Sequence, residues 1–177
     1  MWVAMVAAVG CASTPEPEPT APAVPAVRAT GPVRTFSFRA LDGTTVSAAS
    51  LRGRVSVIVL VTTYDDASHA QVLFLRALVR RHVPRVNALV LVLEPERNRP
   101  MAEAFASSLE LAFPVAMADP ATIEGSGPFP GLHHVPSVVI LDGDGREVWR
   151  RIGLTNRQQL EEAVVAVEPE LPTLRGQ

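Results

Sequence analysis

Two continuous apolar runs, residues 55–62 and 86–93, dominate the hydropathy pattern of the chain. Both are rich in β-branched side chains and apolar on successive positions, which predicts strands buried on both faces of a sheet. Between them, residues 68–82 carry Val72, Leu75, Leu78 and Val79 at helical spacing, with Arg76 and Arg80 on another face. That predicts an amphipathic helix stopped by Pro84. A second helix is expected from Asn98 to Leu111, with Asn98 as cap, Pro100 in its first turn and Met101, Phe105 and Leu109 facing inward. Shorter apolar segments at 36–38 and 44–46 flank Leu41-Asp42-Gly43, a hairpin signal. Residues 114–118 and 137–141 read as further strands, and Asp142-Gly143-Asp144-Gly145 turns the second into a strand over 147–150. Residues 120–134, rich in Gly and Pro, read as mostly loop, and a last helix runs from Thr155 to about Val167.

The order ββ-βαβα-β-ββα predicts parallel pairing through a right-handed crossover, completed by antiparallel strands. The expected class is α/β, a three-layer arrangement of a mixed β-sheet with helices on both faces. Residues 33–168 suffice for one domain that buries roughly two-thirds of its unfolded surface.

The two ends read differently. Residues 1–10 are apolar apart from Gly10, too few for the roughly 20 that span a bilayer. With Cys11 they form a secretory leader, expected over 1–11, in which Ala8-Val9-Gly10-Cys11 resembles a bacterial lipobox. Leucine is commoner where Ala8 stands. The missing basic residues ahead of the apolar run suggest a start upstream of Met1. Residues 12–32 contain Pro15, Pro17, Pro19, Pro22, Pro25 and Pro32, which oppose helix and sheet alike. This segment reads as a disordered tether; at about 3.1 Å per residue, ~20 residues reach roughly 60 Å. Residues 169–177 read as a loose tail. Together these features predict a bacterial envelope lipoprotein attached to the membrane by lipid on Cys11. Ala12, unlike an acidic residue, offers nothing that resembles inner-membrane retention, so the expected place is the outer membrane, facing the periplasm.

Net charge is −2 and all 16 basic residues are arginine. No basic patch large enough for nucleic acid is visible, so nucleic acid is not an expected partner. Cys11 is the single cysteine, which excludes an internal disulfide and any dithiol chemistry. No residue pattern calls for a cofactor.

Four stretches resemble the thioredoxin fold, specifically its TlpA/ResA-type redoxin branch of exported, membrane-tethered thiol–disulfide proteins. Residues 36–54 resemble that branch's opening hairpin and its leucine-x-glycine-basic turn, Leu51-Arg52-Gly53-Arg54. Residues 55–63 resemble the strand that leads to the active site. Val135-Pro136 and the following 137–145 resemble the cis-proline strand and its hairpin, and Arg151-Ile152-Gly153 the closing segment. The resemblance covers about residues 33–168. It implies a Trp-Cys-x-x-Cys motif at a helix N-terminus, where helix dipole and free N–H groups stabilise a thiolate. Here the corresponding residues are Tyr64 for the aromatic, Asp65 for the attacking cysteine and Ser68 for the resolving one. The family's redox reaction is therefore excluded, and the peroxiredoxins, which share the fold, also need a cysteine.

What remains leans toward binding, with catalysis by another chemistry left open. The resemblance implies a cis Pro136 facing the degenerate motif, with Val135 able to pair its backbone with an extended peptide beside Tyr64 and Asp66. Segments of envelope proteins are the expected partners. A second expectation is a metal-binding or metal-delivering role, similar to the copper-delivering Sco branch, with Asp65, Asp66, His69, His133 and His134 as ligands to zinc or copper. A third is a purely structural role. Ser68 beside a histidine also raises a hydrolase reading, although no Gly-x-Ser-x-Gly pattern surrounds it.

Overall fold

A computed structural model describes residues 31–82 and 84–167. The leader with Cys11, all but the last two residues of the tether, and the tail over 169–177 lie outside them.

The described residues open on a hairpin of β1 (Ser37–Arg39) and β2 (Thr45–Ser47). Its turn is made by the residues that announced it. The Asp42 carboxylate accepts the Thr44 N–H at 2.9 Å and the Thr44 hydroxyl at 2.7 Å, and Gly43 takes φ 85°, a left-handed conformation that costs glycine little. The two apolar runs become β3 (Val55–Val61) and β4 (Val86–Val92), paired in parallel from Val55 opposite Val86 to Val61 opposite Val92. The edge strand β5 (Val115–Met117) runs parallel to β4, while β6 (Ser137–Leu141) and β7 (Glu147–Ile152) add antiparallel pairs. The sheet order is β5-β4-β3-β6-β7, with β3 central and wholly buried.

The period-2 alternation of strand side chains divides the core. Val57, Val59 and Val61 join Val90, Val138 and Ile140 beneath α1 (Asp66–His82), α2 (Arg99–Ser108) and α4 (Arg157–Val167). Ile58 and Leu60 join Leu89, Leu91 and Val139 on the other face, under the hairpin and the segment that carries α3 (Pro120–Ile123). The outcome is the three-layer α/β arrangement that the order of elements implied. Among the described residues no helix is long and apolar enough to cross a membrane.

Several boundaries differ from expectation, each for a local reason. Helix α1 starts at Asp66, two residues before Ser68, because Asp65 caps it. Asn98 does not cap α2; its amide donates to Glu94 at 2.7 Å, and a short 3-10 turn over Glu96–Asn98 leads into the helix. Met101, expected inside, is 60% exposed, whereas Ala102 and Phe105 are buried. A helix of 10 residues packed toward the sheet edge buries only a narrow stripe, and Met101 falls beside it. Helix α4 starts at Arg157, behind a capping box in which Asn156 Oδ1 accepts the Gln159 N–H at 2.9 Å and Gln159 Oε1 accepts the Asn156 N–H at 3.3 Å. The segment 120–134 is loop apart from α3, which Asp119 caps through the Thr122 N–H at 2.7 Å. It is nonetheless anchored, since Phe129 and Leu132 are buried and Phe129 meets Phe36 with ring centroids 5.5 Å apart.

Candidate functional site

The central strand β3 delivers its C-terminal end to the N-terminus of α1, and the degenerate motif sits at that junction. Asp65 Oδ2 accepts both the N–H of Ser68, at 2.8 Å, and its hydroxyl, at 2.7 Å. This is N-cap geometry, with the carboxylate closing one of the helix's free N–H groups. The Ser68 hydroxyl in turn accepts the Thr62 N–H at 3.3 Å and is fully buried. The hydroxyl of Ser68, followed by backbone N–H groups and the nearby His69, holds the Asp65 carboxyl below its ordinary value of 3.8 against the opposing effect of burial. Tyr64, by contrast, is 77% exposed, and Asp66 also faces solvent.

Thr63, between these groups, is held from below by a residue that sequence reasoning missed. Glu94, two residues past the C-terminal end of β4, is 2% exposed. Its Oε1 accepts the Thr63 N–H at 2.6 Å and the Thr63 hydroxyl at 2.8 Å, and its Oε2 accepts the Asn98 amide at 2.7 Å. Three donors satisfy a buried carboxylate that would otherwise be costly. A charge directly after the apolar run 86–93, with an amide four residues on, was the only sign of it.

The second wall comes from the start of β6. The Val135–Pro136 peptide bond is cis. The last register pair joins Ser137, two residues after Val135, to Leu60, two residues before Thr62. The Ser137 hydroxyl donates to the His134 carbonyl at 2.6 Å, and the Pro136 carbonyl accepts the Gly153 N–H at 2.8 Å. Both flanks of Val135 are thus tied down. Among the described residues its own N–H and C=O take part in no hydrogen bond, and the residue is half-buried.

The proposed metal ligands do not gather. Among the described residues no group of three or more His, Cys, Asp or Glu side chains could hold a metal ion. His69 Nδ1 lies 3.1 Å from the Asp65 carbonyl and its ring meets Phe105 edge-on, centroids 4.8 Å apart. His133 and His134 pack on each other at 4.1 Å, and His133 also covers Gly125, where an added Cβ would come within 2.9 Å of Nδ1. Asp65 is committed to Ser68. The metal reading is therefore corrected: Asp65 caps α1, His69 and His133 pack on their neighbours, Asp66 faces solvent, and no three of the proposed ligands converge among the described residues. The hydrolase reading falls with it, because the buried Ser68 hydroxyl donates to a carboxylate and makes no hydrogen bond to a histidine among the described residues.

The fold and the placement of this junction define the class, a thioredoxin-like domain. Solved structures agree. A thiol:disulfide interchange protein of the thioredoxin family from Chlorobium tepidum superposes with a TM-score of 0.65 at 17% identity, over 78% of this chain and 96% of that one. DsbF of Mycobacterium tuberculosis gives 0.67 at 18% identity, over 78% and 100%. StoA from Bacillus subtilis gives 0.60 at 18% identity, over 78% and 98%. At such identities the likeness establishes the fold. No protein-family model matches the sequence, and no curated protein matches it. With one cysteine in the chain, and that one at position 11, the dithiol reaction of the interchange proteins has no chemical basis here.

Proposed function

We propose that the protein is a redox-inactive, thioredoxin-like binding module that holds an extended segment of another protein against Val135. One observation carries the reading. Val135 presents an N–H and C=O that are unpaired among the described residues, at a half-buried position between tied neighbours. A backbone pair left open in this way suits strand addition, in which main-chain bonds supply affinity and neighbouring side chains supply selectivity. Tyr64 adds a large amphipathic contact at little entropic cost. The cap on α1 turns the former reactive positions into a rigid floor. The lipobox-like Ala8-Val9-Gly10-Cys11 and the proline tether support a setting in the bacterial envelope, with lipid on Cys11 and segments of envelope proteins as partners. One of the structural neighbours is described as a secreted disulfide oxidoreductase of Mycobacterium tuberculosis.

The test is site-specific photocrosslinking of the full chain in bacterial cells. A benzophenone side chain in place of Tyr64 should capture a discrete partner, and the same group at exposed Leu73, on α1, should not. Equal capture at both positions, or none at Tyr64, removes the support for peptide binding. Intact mass of the protein from the same cells reads lipidation separately.

A further inference from the structure

The end of the sheet opposite Asp65 is basic. Arg52 and Arg54 lie in the turn before β3, Arg80 and Arg81 in the last turn of α1, Arg85 just before β4, and Arg146 between β6 and β7. All of these are exposed. No run in the sequence announces them together; the sheet register does. Val55 pairs with Val86 and Ser56 with Leu141, which brings the three turns to one end. The Gly53 N–H donates to the Gly143 carbonyl at 2.8 Å, and Arg54 donates to the Pro84 carbonyl at 2.7 Å. The carboxylates at this end are fewer. Asp142 accepts the N–H groups of Asp144 and Arg146, Asp144 is exposed, and Glu161 faces His82 and Arg81. Arg80 and Arg81 complement the negative end of the α1 dipole. That does not account for Arg52, Arg85 and Arg146, whose side chains make no hydrogen bond or ion pair among the described residues.

The polypeptide also enters the domain here. Val33 bridges to Arg146, and the Arg34 N–H donates to the Gly145 carbonyl at 2.9 Å. Whatever holds the chain upstream of residue 31 therefore pulls on the basic end. The junction at Asp65 lies at the far end of β3, roughly 23 Å away at about 3.3 Å per residue for its seven residues.

We propose that this arginine-rich end is a docking face for an anionic phospholipid surface, and that it turns the Tyr64–Val135 junction away from the membrane. Guanidinium groups bind phosphate through two parallel N–H donors, and an exposed arginine near an anionic bilayer strengthens binding about fivefold. The orientation rests on the reading of Cys11 as an anchor; the attraction between basic end and headgroups does not.

The test uses the full chain with Cys11→Ser, which carries no lipid, in co-sedimentation with vesicles. Phosphatidylcholine vesicles serve as the neutral reference and report any contribution of the apolar leader. Vesicles with about one-third phosphatidylglycerol should bind at least tenfold more strongly at low salt, and the excess should vanish at high salt as screening shortens to a few ångströms. Arg52→Gln/Arg85→Gln/Arg146→Gln should remove most of that excess, at about fivefold per arginine until the neutral-vesicle level is reached. Arg97→Gln/Arg157→Gln, at the opposite end, should leave it unchanged, and circular dichroism of both variants should match the parent. Equal binding to the two vesicle types, or full binding by the triple variant, overturns the proposal, as does stronger binding to a DNA duplex than to the anionic vesicles at equal salt. Intact mass of the protein with Cys11 in place judges the anchor independently. Lipid-free protein that still prefers anionic vesicles removes the anchor and keeps the docking face.

Discussion

At Asp65 a carboxylate supplies what a helix N-terminus needs and nothing that electron transfer needs. Its contribution is measurable. Asp65→Ala should cost about 1 kcal/mol of unfolding free energy in urea, while Asp65→Asn should retain most of it, because both side chains accept from an N–H. The same geometry makes a chemical prediction. Asp65→Cys/Ser68→Cys puts two thiols at i and i+3 on the first turn of α1, where a thiolate is favoured. The double variant should accelerate dithiothreitol-driven insulin reduction, and the parent should not; turnover by the parent would overturn its assignment as redox-inactive. Glu147 sets a third expectation. Burial raises its pKa, but the hydrogen bonds and charges of Arg150 and Arg34 outweigh burial and hold it below 4.5. Asp65 likewise sits below 3.8. Carboxylates with depressed values stabilise the fold fully above their unfolded pKa, and that stability is lost as pH falls through the folded one. Urea midpoints should therefore hold between pH 7 and 5 and fall below about pH 4. Glu147→Gln should show a smaller acid loss than the parent.

Helix α1 shows how far periodicity reaches. Its buried face, with Val72, Leu75 and Leu78, is the one its spacing predicted, and all three join the core beneath it. Leu75→Ala should cost about 2–5 kcal/mol, since a cavity adds to the lost transfer energy. Leu73→Ala, two residues away and 39% exposed, should stay within about 0.5 kcal/mol. Comparable effects at the two positions would mean that the helix has a different buried face. The start of α1 was less legible than its face. Asp65, Asp66 and Ser68 are all good caps, and only the point where β3 ends, with Thr62 bonded to Ser68, selects Asp65. In α2 the expected stripe held at Phe105 and Leu109 and failed only at Met101, where Ala102 is the residue turned to the core.

At the scale of the entire domain, the two long apolar runs, the tight turns at Asp42-Gly43 and Asp142–Gly145 and the order of elements were enough to specify a mixed sheet of this class. Those signals are local, because burial on both faces, capping and turn conformation depend on residues a few positions apart. The loss of the dithiol was equally plain, since it follows from counting one cysteine. The rest depended on which ends of which strands meet. Glu94 lies 31 residues from Thr63, and nothing within either segment says that one carboxylate will hold the other's backbone. The histidines near the junction looked like ligands in one dimension and prove to be packing groups in three. Arginines scattered from 52 to 146 meet at one end of the sheet only because parallel and antiparallel register bring three turns there, beside the last turn of α1. Local hydrogen bonding and burial are written along the chain; convergence of distant side chains is written in the pairing of strands.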